Sequence, residues 1–326
     1  PTSFAFSDLN DDTEADVTVY SIYLQNEIEV TDWLNVVVGG RFDSFDITVD
    51  NIETFIDTGL RQVLSRADSD FSPRAGVILK PQENISIYGS YSESFLPRSG
   101  EQFADINPPD DALDPNTFTN LELGLKWDFT NALSFTAAIF EIEQSSPQVS
   151  DSDPDTLDVI DSKIRGLEAQ IQGRVTENWQ ISAGYSYLDG DQVNRDGSGG
   201  NRLRELPEHT FSLWNKFQLT DKLGLGAGLT YQDESFADNG NGTTLPDFVR
   251  IDAAAFYDVN ENLRLQVNVE NLFDAHYYPS AHTANNITVG AQLNARFSVK
   301  GRFYGSAPTR RTSSKWQLRS PAAPAP

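Results

Sequence analysis

The sequence predicts an all-β protein, a transmembrane antiparallel up-and-down β-barrel present in part, with about thirteen strands. Three observations predict it. Apolar and polar residues alternate over long stretches, which is the period of a strand with two unlike faces. Six short polar turns of similar composition recur along the chain. Six long polar connections lie between and around them, so short and long links alternate. In an up-and-down sheet alternate links lie at opposite ends, which leaves one trim end and one elaborate end.

After an acidic start, with residues 1–14 ending a long connection, a strand runs over about Val17–Val30 and stops at Thr31, Asp32 and Trp33. The next places Leu34, Val36, Val38, Gly40 and Phe42 on one face, with Asn35, Gly39, Arg41 and Asp43 opposite. The same kind of turn returns at Pro81–Ile85, Thr130–Leu133, Thr176–Trp179, Thr220–Leu223 and Asn260–Leu263. Asp, Asn and Thr favour such turns through local backbone bonding, and each opens an alternating strand. Leu121 to Phe129, Trp179 to Tyr187 and Leu223 to Tyr231 repeat the pattern. So does Leu263–Val269, and the last strand is expected over Gln292–Phe303. Twelve residues at about 3.4 Å each reach roughly 40 Å, beyond an ordinary globular strand. The long connections are expected over 50–69, 97–117, 144–156, 190–206, 238–246 and 275–288.

Aromatic residues form two levels. Trp33, Trp127, Phe129 and Trp179 stand beside the short turns, and Phe42, Tyr187 and Tyr231 stand toward the long connections. Aliphatic and small residues separate them, as in the two interfacial belts of a bilayer-spanning barrel facing outer-membrane lipid. A soluble sandwich or propeller also alternates, but explains neither the strand length nor the short and long rhythm.

Composition agrees with this. The chain has 326 residues, 22% of them charged, and a mean hydropathy of -0.43. No run approaches the 18 or so apolar residues of a spanning helix, whereas a barrel strand needs only alternation. Cysteine is absent, which excludes disulfides and thiolate metal sites. The net charge of -24, from 24 basic and 48 acidic residues, argues against nucleic acid as a partner. An odd number of strands that begins and ends on opposite sides leads us to expect further strands upstream. Residues 304–326 are basic, rich in Pro and Ala, without strand period, and expected to be disordered.

Several short motifs carry a family resemblance. Val269-Glu270-Asn271-Leu272-Phe273-Asp274, followed by His276-Tyr277-Tyr278-Pro279, resembles the C-terminal signature of TonB-dependent outer-membrane receptors of the siderophore branch. Gly39-Gly40-Arg41-Phe42-Asp43, Ser72-Pro73-Arg74, Leu121-Glu122-Leu123-Gly124 and Arg165-Gly166-Leu167-Glu168 support it, and the likeness spans nearly all of residues 15–303. The resemblance implies a plugged barrel of about 22 strands in the outer membrane of a Gram-negative bacterium. It implies uptake of a ferric siderophore captured by outer loops, with the TonB complex acting through an N-terminal plug that is not expected within residues 1–326. It also implies that Phe303 is the C-terminal aromatic signal read by the barrel-assembly machinery. Haem, a cobalamin or an oligosaccharide remain open as cargo, as does a passive porin.

No catalytic constellation, resident cofactor or metal site is read from the chain. The three histidines are His209, His276 and His282. His276 and His282 flank Tyr277 and Tyr278 in one long connection, and two readings of this group stay open. The rings contact an aromatic, oxygen-rich anionic chelate, or they pack within the loop. Phe95 and Arg98 have the same two readings, Arg98 as a cation for an anionic chelate or as a partner of Glu93 or Glu101. The interior-facing charges, among them Arg41, Arg74, Lys126, Arg250 and Arg264 with Asp43, Glu122, Asp128 and Asp252, are expected to form cross-strand pairs. The acidic runs 105–114 and 151–161 lack the spacing of an EF-hand and read as solvated loops.

Overall fold

The computed structural model describes residues 13–51, 62–97, 114–149, 157–194 and 199–302. Its strands are β1 (Thr13–Thr31), β2 (Leu34–Asn51), β3 (Gln62–Gln82), β4 (Ile85–Leu96), β5 (Asn116–Thr130) and β6 (Leu133–Val149). Then come β7 (Leu157–Thr176), β8 (Trp179–Asn194), β9 (Gly199–Arg202), β10 (His209–Gln218), β11 (Leu223–Gln232) and β12 (Ser235–Phe236). The series ends with β13 (Thr244–Leu245), β14 (Phe248–Asn260), β15 (Leu263–Glu270), β16 (Ser280–Thr283), β17 (Asn286–Thr288) and β18 (Asn294–Gly301).

One sheet runs in the order β1-β2-β3-β4-β5-β6-β7-β8-β10-β11-β14-β15-β18, with β9 beside β8. The neighbours pair antiparallel, so the thirteen strands on this path form the expected up-and-down meander. No helix among the described residues is long and apolar enough to cross a membrane.

All six short turns lie where their Asp, Asn and Thr residues placed them. Thr220 shows why: its Oγ1 accepts from the backbone N–H of Leu223 at 3.0 Å, the local bond that closes such a turn. Strand ends at the other side differ from expectation. β2, β3, β6 and β8 extend into the long connections expected over 50–69, 144–156 and 190–206. There the apolar face loses its apolar residues, so alternation no longer marks a strand that continues. On β6 the change falls between Ile139 and Glu141, and on the paired β7 between Leu167 and Arg165. Glu141 bridges Lys163 Nζ and Arg165 Nε, both at 2.8 Å. β18 is shorter than expected, eight residues instead of twelve.

The register sorts side chains into two unlike faces. Across six strands Ile87, Leu125, Ala137, Ala169, Tyr185 and Phe211 stand opposite one another. One residue along, on the other face, the row is Tyr88, Gly124, Ala138, Glu168, Ser186 and Thr210. The apolar face is bare: Leu121 is 58% exposed, Phe297 78% and Val299 71%. A soluble sandwich would bury these against a second layer. The polar face instead borders a cavity of about 590 Å³ lined by Tyr88, Glu122, Phe140, Glu168, Ser186 and Thr210 among others.

Two devices shape the polar face. Bulky rings lie flat over glycines of the next strand. Tyr88 covers Gly124, Phe140 covers Gly166 and Trp214 covers Gly226 and Gly228; a Cβ on Gly124 would stand 2.3 Å from the Tyr88 ring. Charges are neutralised nearby, though not as expected. Arg41–Asp43 (2.7 Å), Arg66–Asp68 (2.7 Å) and Arg250–Asp252 (2.9 Å) pair two residues apart on one strand, where side chains share a face. Arg264–Asp258 (2.6 Å) is a cross-strand pair.

Trp33, Trp127, Phe129 and Trp179 lie by the short turns. Trp127 packs on Phe129 at 4.2 Å, and Trp179 stacks on Phe217 while donating to Asn215 Oδ1 at 3.0 Å. Tyr187 lies midway along β8, and Tyr231 lies next to the far end of β11. Phe303, residues 1–12 and residues 304–326 lie outside the described residues.

The glycine contacts generate a test. Gly124→Val should drive Tyr88 off the wall and break its 2.5 Å bond to Glu122 Oε1, at a cost of about 1–3 kcal/mol. Gly184→Ala, whose Cβ would meet only Ser212 Oγ at 3.4 Å, should change stability by less than about 0.5 kcal/mol. Urea unfolding of the two variants in detergent compares them directly.

Candidate functional site

At the long-connection end, three connections interlock into a cap. The first follows β9. Arg202 donates its backbone N–H to Asn241 Oδ1 at 2.8 Å and accepts from Asn241 Nδ2 at 2.9 Å. The second is the β12–β13 hairpin, whose turn Asp238 closes by accepting from the N–H groups of Gly242 and Thr243, each at 3.0 Å. Asn241 there has φ 56°, a left-handed conformation that Asn tolerates. The third is the β16–β17 hairpin, with Ala281 opposite Ile287.

A small apolar core holds the two hairpins together. Ala237, Leu245 and Ala281 are buried in it, with Ile287 packed against them. Glu205 joins all three connections: its N–H donates to Phe236 O at 2.7 Å and its Oε1 accepts from Ala281 N–H at 2.6 Å. Its φ of 55° is a strained setting for this residue type, held by those two bonds. Arg204 Nη1 adds a bond to His282 O at 2.9 Å.

A clasp joins this cap to the sheet. Asn271 is buried, has φ 52°, and spends its whole side-chain amide on the loop. Nδ2 donates to Ala275 O at 2.8 Å and to Ala291 O at 3.0 Å, and Oδ1 accepts from Ala275 N–H at 2.8 Å. Its backbone N–H donates to Asp252 Oδ1 at 2.9 Å, while Asp274 Oδ1 accepts from Leu293 N–H at 2.8 Å. The Asn271–Asp274 motif is therefore a structural knot that returns the chain to β18. The sequence carried that motif without revealing this role.

The residues singled out from the sequence separate into three groups. His276, Tyr278 and His282 are exposed on the cap connection. Tyr277 is 5% exposed: it packs on Phe248 at 4.7 Å, accepts from Arg250 Nη1 at 3.2 Å, and lies over Gly290. It is a packing residue in this arrangement. Phe95 meets Phe45 edge-on at 5.7 Å, and Phe45 packs on the buried pair Ile47 and Val49. Arg98 lies outside the described residues, as do the acidic residues 105–111 and 151–155. Glu205 and Asn241 were missed, and Asn271 and Asp252, both named from the sequence, were not assigned their part in the clasp. For Asn241, the Asn-Gly step was the available signal.

Residues 1–272 match the family described as TonB dependent receptor-like, beta-barrel. Over 312 residues the chain is 33% identical to the probable TonB-dependent siderophore receptor PiuA of Acinetobacter baumannii, a match covering 90% of this chain and 42% of that protein. The catecholate siderophore receptor Fiu of Escherichia coli K12 is 32% identical over 226 residues, covering 64% of this chain and 29% of its own. Among solved structures, the siderophore receptor PiuA from Acinetobacter baumannii superposes with a TM-score of 0.82 at 33% identity, covering 89% of this chain and 44% of that chain. The ferripyoverdine receptor of the outer membrane of Pseudomonas aeruginosa, with a TM-score of 0.71 at 23% identity over 89% of this chain and 39% of its own, shares the fold. The chain thus spans less than half the length of these relatives.

Removing the clasp tests its role. Asn271→Gly keeps the backbone conformation but orphans the loop groups it bonds, at about 1–3 kcal/mol for each buried group left unpaired. Limited proteolysis should then cut within 275–291 much faster than in the unaltered protein, while the sheet's own unfolding midpoint moves little.

Proposed function

The chain belongs to the TonB-dependent receptor family, and on that premise we propose that it forms part of a receptor for uptake of a ferric siderophore across the outer membrane. The supporting observation is the overlay of the sheet, at a TM-score of 0.82 over 89% of this chain, on a siderophore receptor to which it is 33% identical. In this reading the bare apolar face meets outer-membrane lipid. Trp33, Trp127, Phe129 and Trp179 form the inner belt and Tyr187 and Tyr231 the outer one, where amphipathic rings are favoured. The elaborate end with the cap is extracellular.

The cap then offers His276, Tyr278 and His282 to the ligand from a backbone held by Glu205 and Asn271, Phe95 lies at the long-connection end of β4, and Arg98 is a further ligand contact on the ground of its sequence alone. Imidazole and phenol groups stack on aromatic donors of a chelate and bond to its oxygens. The iron is cargo, already held by the chelator, so these side chains recognise the complex without replacing its ligands. The polar face lines the interior, where the paired charges and flattened rings meet whatever fills the lumen. The TonB complex and the barrel-assembly machinery are the further partners of this reading. No reaction is catalysed in it.

Expression of the full-length gene product in an iron-starved host lacking its own receptors tests the proposal. Growth should be restored by one chelate class and not others, and surface display with no rescue by any ferric chelate overturns it. Within that assay Tyr278→Ala and His276→Ala should each weaken ligand binding about five-fold or more, the scale of an interface hot spot. Tyr277→Phe, which removes only the hydroxyl facing Arg250, should leave affinity within about two-fold.

A further inference from the structure

Three metal-ligating side chains that the proposed uptake does not use converge where β10 begins and β11 ends. One ligand atom each of Glu208, His209 and Asp233 lie within 4.8 Å of one another, and all three residues are half-buried. We propose that they form a binding site for a divalent metal ion of the zinc type, distinct from any iron carried inside a chelate.

Spacing alone would be weak, but the ligands are also held in place. The strand ends that carry them are tied by backbone bonds, Asp233 N–H to His209 O and Leu188 N–H to Glu208 O, both 2.9 Å. Each side chain has an orienting neighbour. The Tyr185 hydroxyl meets His209 Nδ1 at 2.9 Å, and Tyr187 packs on the same imidazole at 5.1 Å. With the proton on Nδ1 donated to that hydroxyl, Nε2 keeps its lone pair for a metal, the outer-shell arrangement typical of metal-bound histidine. Arg202 Nη2 holds Glu208 Oε1 at 3.1 Å, leaving Oε2. Asp233 Oδ1 accepts from Glu234 N–H at 3.0 Å and from Tyr231 Oη at 3.3 Å, leaving Oδ2.

The donor set chooses the ion. One imidazole and two carboxylates suit zinc or a neighbouring transition metal, with water completing a four-coordinate shell. Calcium and magnesium prefer six or more oxygen donors. The place gives the site a consequence. Glu208 ends the connection that contributes Arg202, Arg204 and Glu205 to the cap, and Asp233 begins the one that contributes β12 and β13. A bound ion would pin both connections at their feet.

The test is calorimetric titration of Zn²⁺ into the full-length gene product, purified in detergent, stripped with a chelator and kept free of siderophore. One saturable site is expected. His209→Gln and Asp233→Asn should each weaken it by about ten-fold or more, Tyr185→Phe by about ten-fold through the imidazole it orients, and an equal concentration of Mg²⁺ should not compete. His276→Gln with His282→Gln should leave the site intact. Circular dichroism confirms that each variant keeps its sheet, and Asp233→Asn, nearly isosteric, stands in if His209→Gln does not fold. Absence of saturable binding, unchanged affinity in both His209→Gln and Asp233→Asn, or loss confined to the His276 and His282 variant would overturn the site. Because no chelate is present, that failure would leave the uptake proposal untouched.

Discussion

Backbone pairing governs this molecule. In hydrocarbon an unbonded N–H or C=O costs several kcal/mol, so a chain that crosses a bilayer in strands must bond each strand to a neighbour on both sides. The unbroken antiparallel ladder from β1 to β18 meets that demand for every strand between them. Within the described sheet β1 and β18 are the two edges, and the same demand for a bonded neighbour applies to their outward-facing backbone groups in lipid. Even the limits of the ladder follow from solvent: strands run past Ile139 and Leu167 into a zone where Glu141, Lys163 and Arg165 replace apolar residues. Water there tolerates charge on the face that is apolar nearer the short turns.

Once the backbone is committed, side chains have only two directions to point, and the two faces meet different problems. The apolar face needs area and little specificity, which Leu, Val and Phe supply. The polar face must stay open while carrying aromatic bulk and charge. It does so by laying Tyr88, Phe140 and Trp214 flat on glycines and by neutralising arginines with carboxylates two residues along the same strand. That second choice has a geometric reason. Residues two apart share a face on any strand, so such a pair survives a change of neighbour, whereas a cross-strand pair such as Arg264–Asp258 depends on one register.

Legibility followed the range of the interactions. The six turns could be read because Thr, Asp and Asn act on their own backbone, as Thr220 does on Leu223. The strands could be read wherever apolar and polar residues alternated, and became illegible where the apolar face turned polar, as at Glu141, Lys163 and Arg165. The cap was invisible because it is made by contacts between distant connections: Glu205 reaches Ala281, and Arg202 reaches Asn241. Its strands are only two to four residues long, too short for a period to register. Tyr277 and Tyr278 show the same limit. They are adjacent and alike in chemistry, yet one is buried over Gly290 and the other is exposed, and no local pattern in a loop decides which.

The cap is better understood as an extension of the wall than as a mobile loop. Asp252, on the polar face of β14, accepts from Arg250 and from the backbone of Asn271. Arg250 also bonds the Tyr277 hydroxyl, and Asn271 bonds Ala275 and Ala291. Two routes of hydrogen bonds therefore run from one carboxylate in the wall to both ends of the connection that carries His276, Tyr278 and His282. A connection fixed at both ends has already given up most of its conformational freedom on folding. Under the proposed uptake, groups displayed from it would lose little more when a ligand arrives, and that saving in ordering entropy is what would let a few exposed rings count for binding.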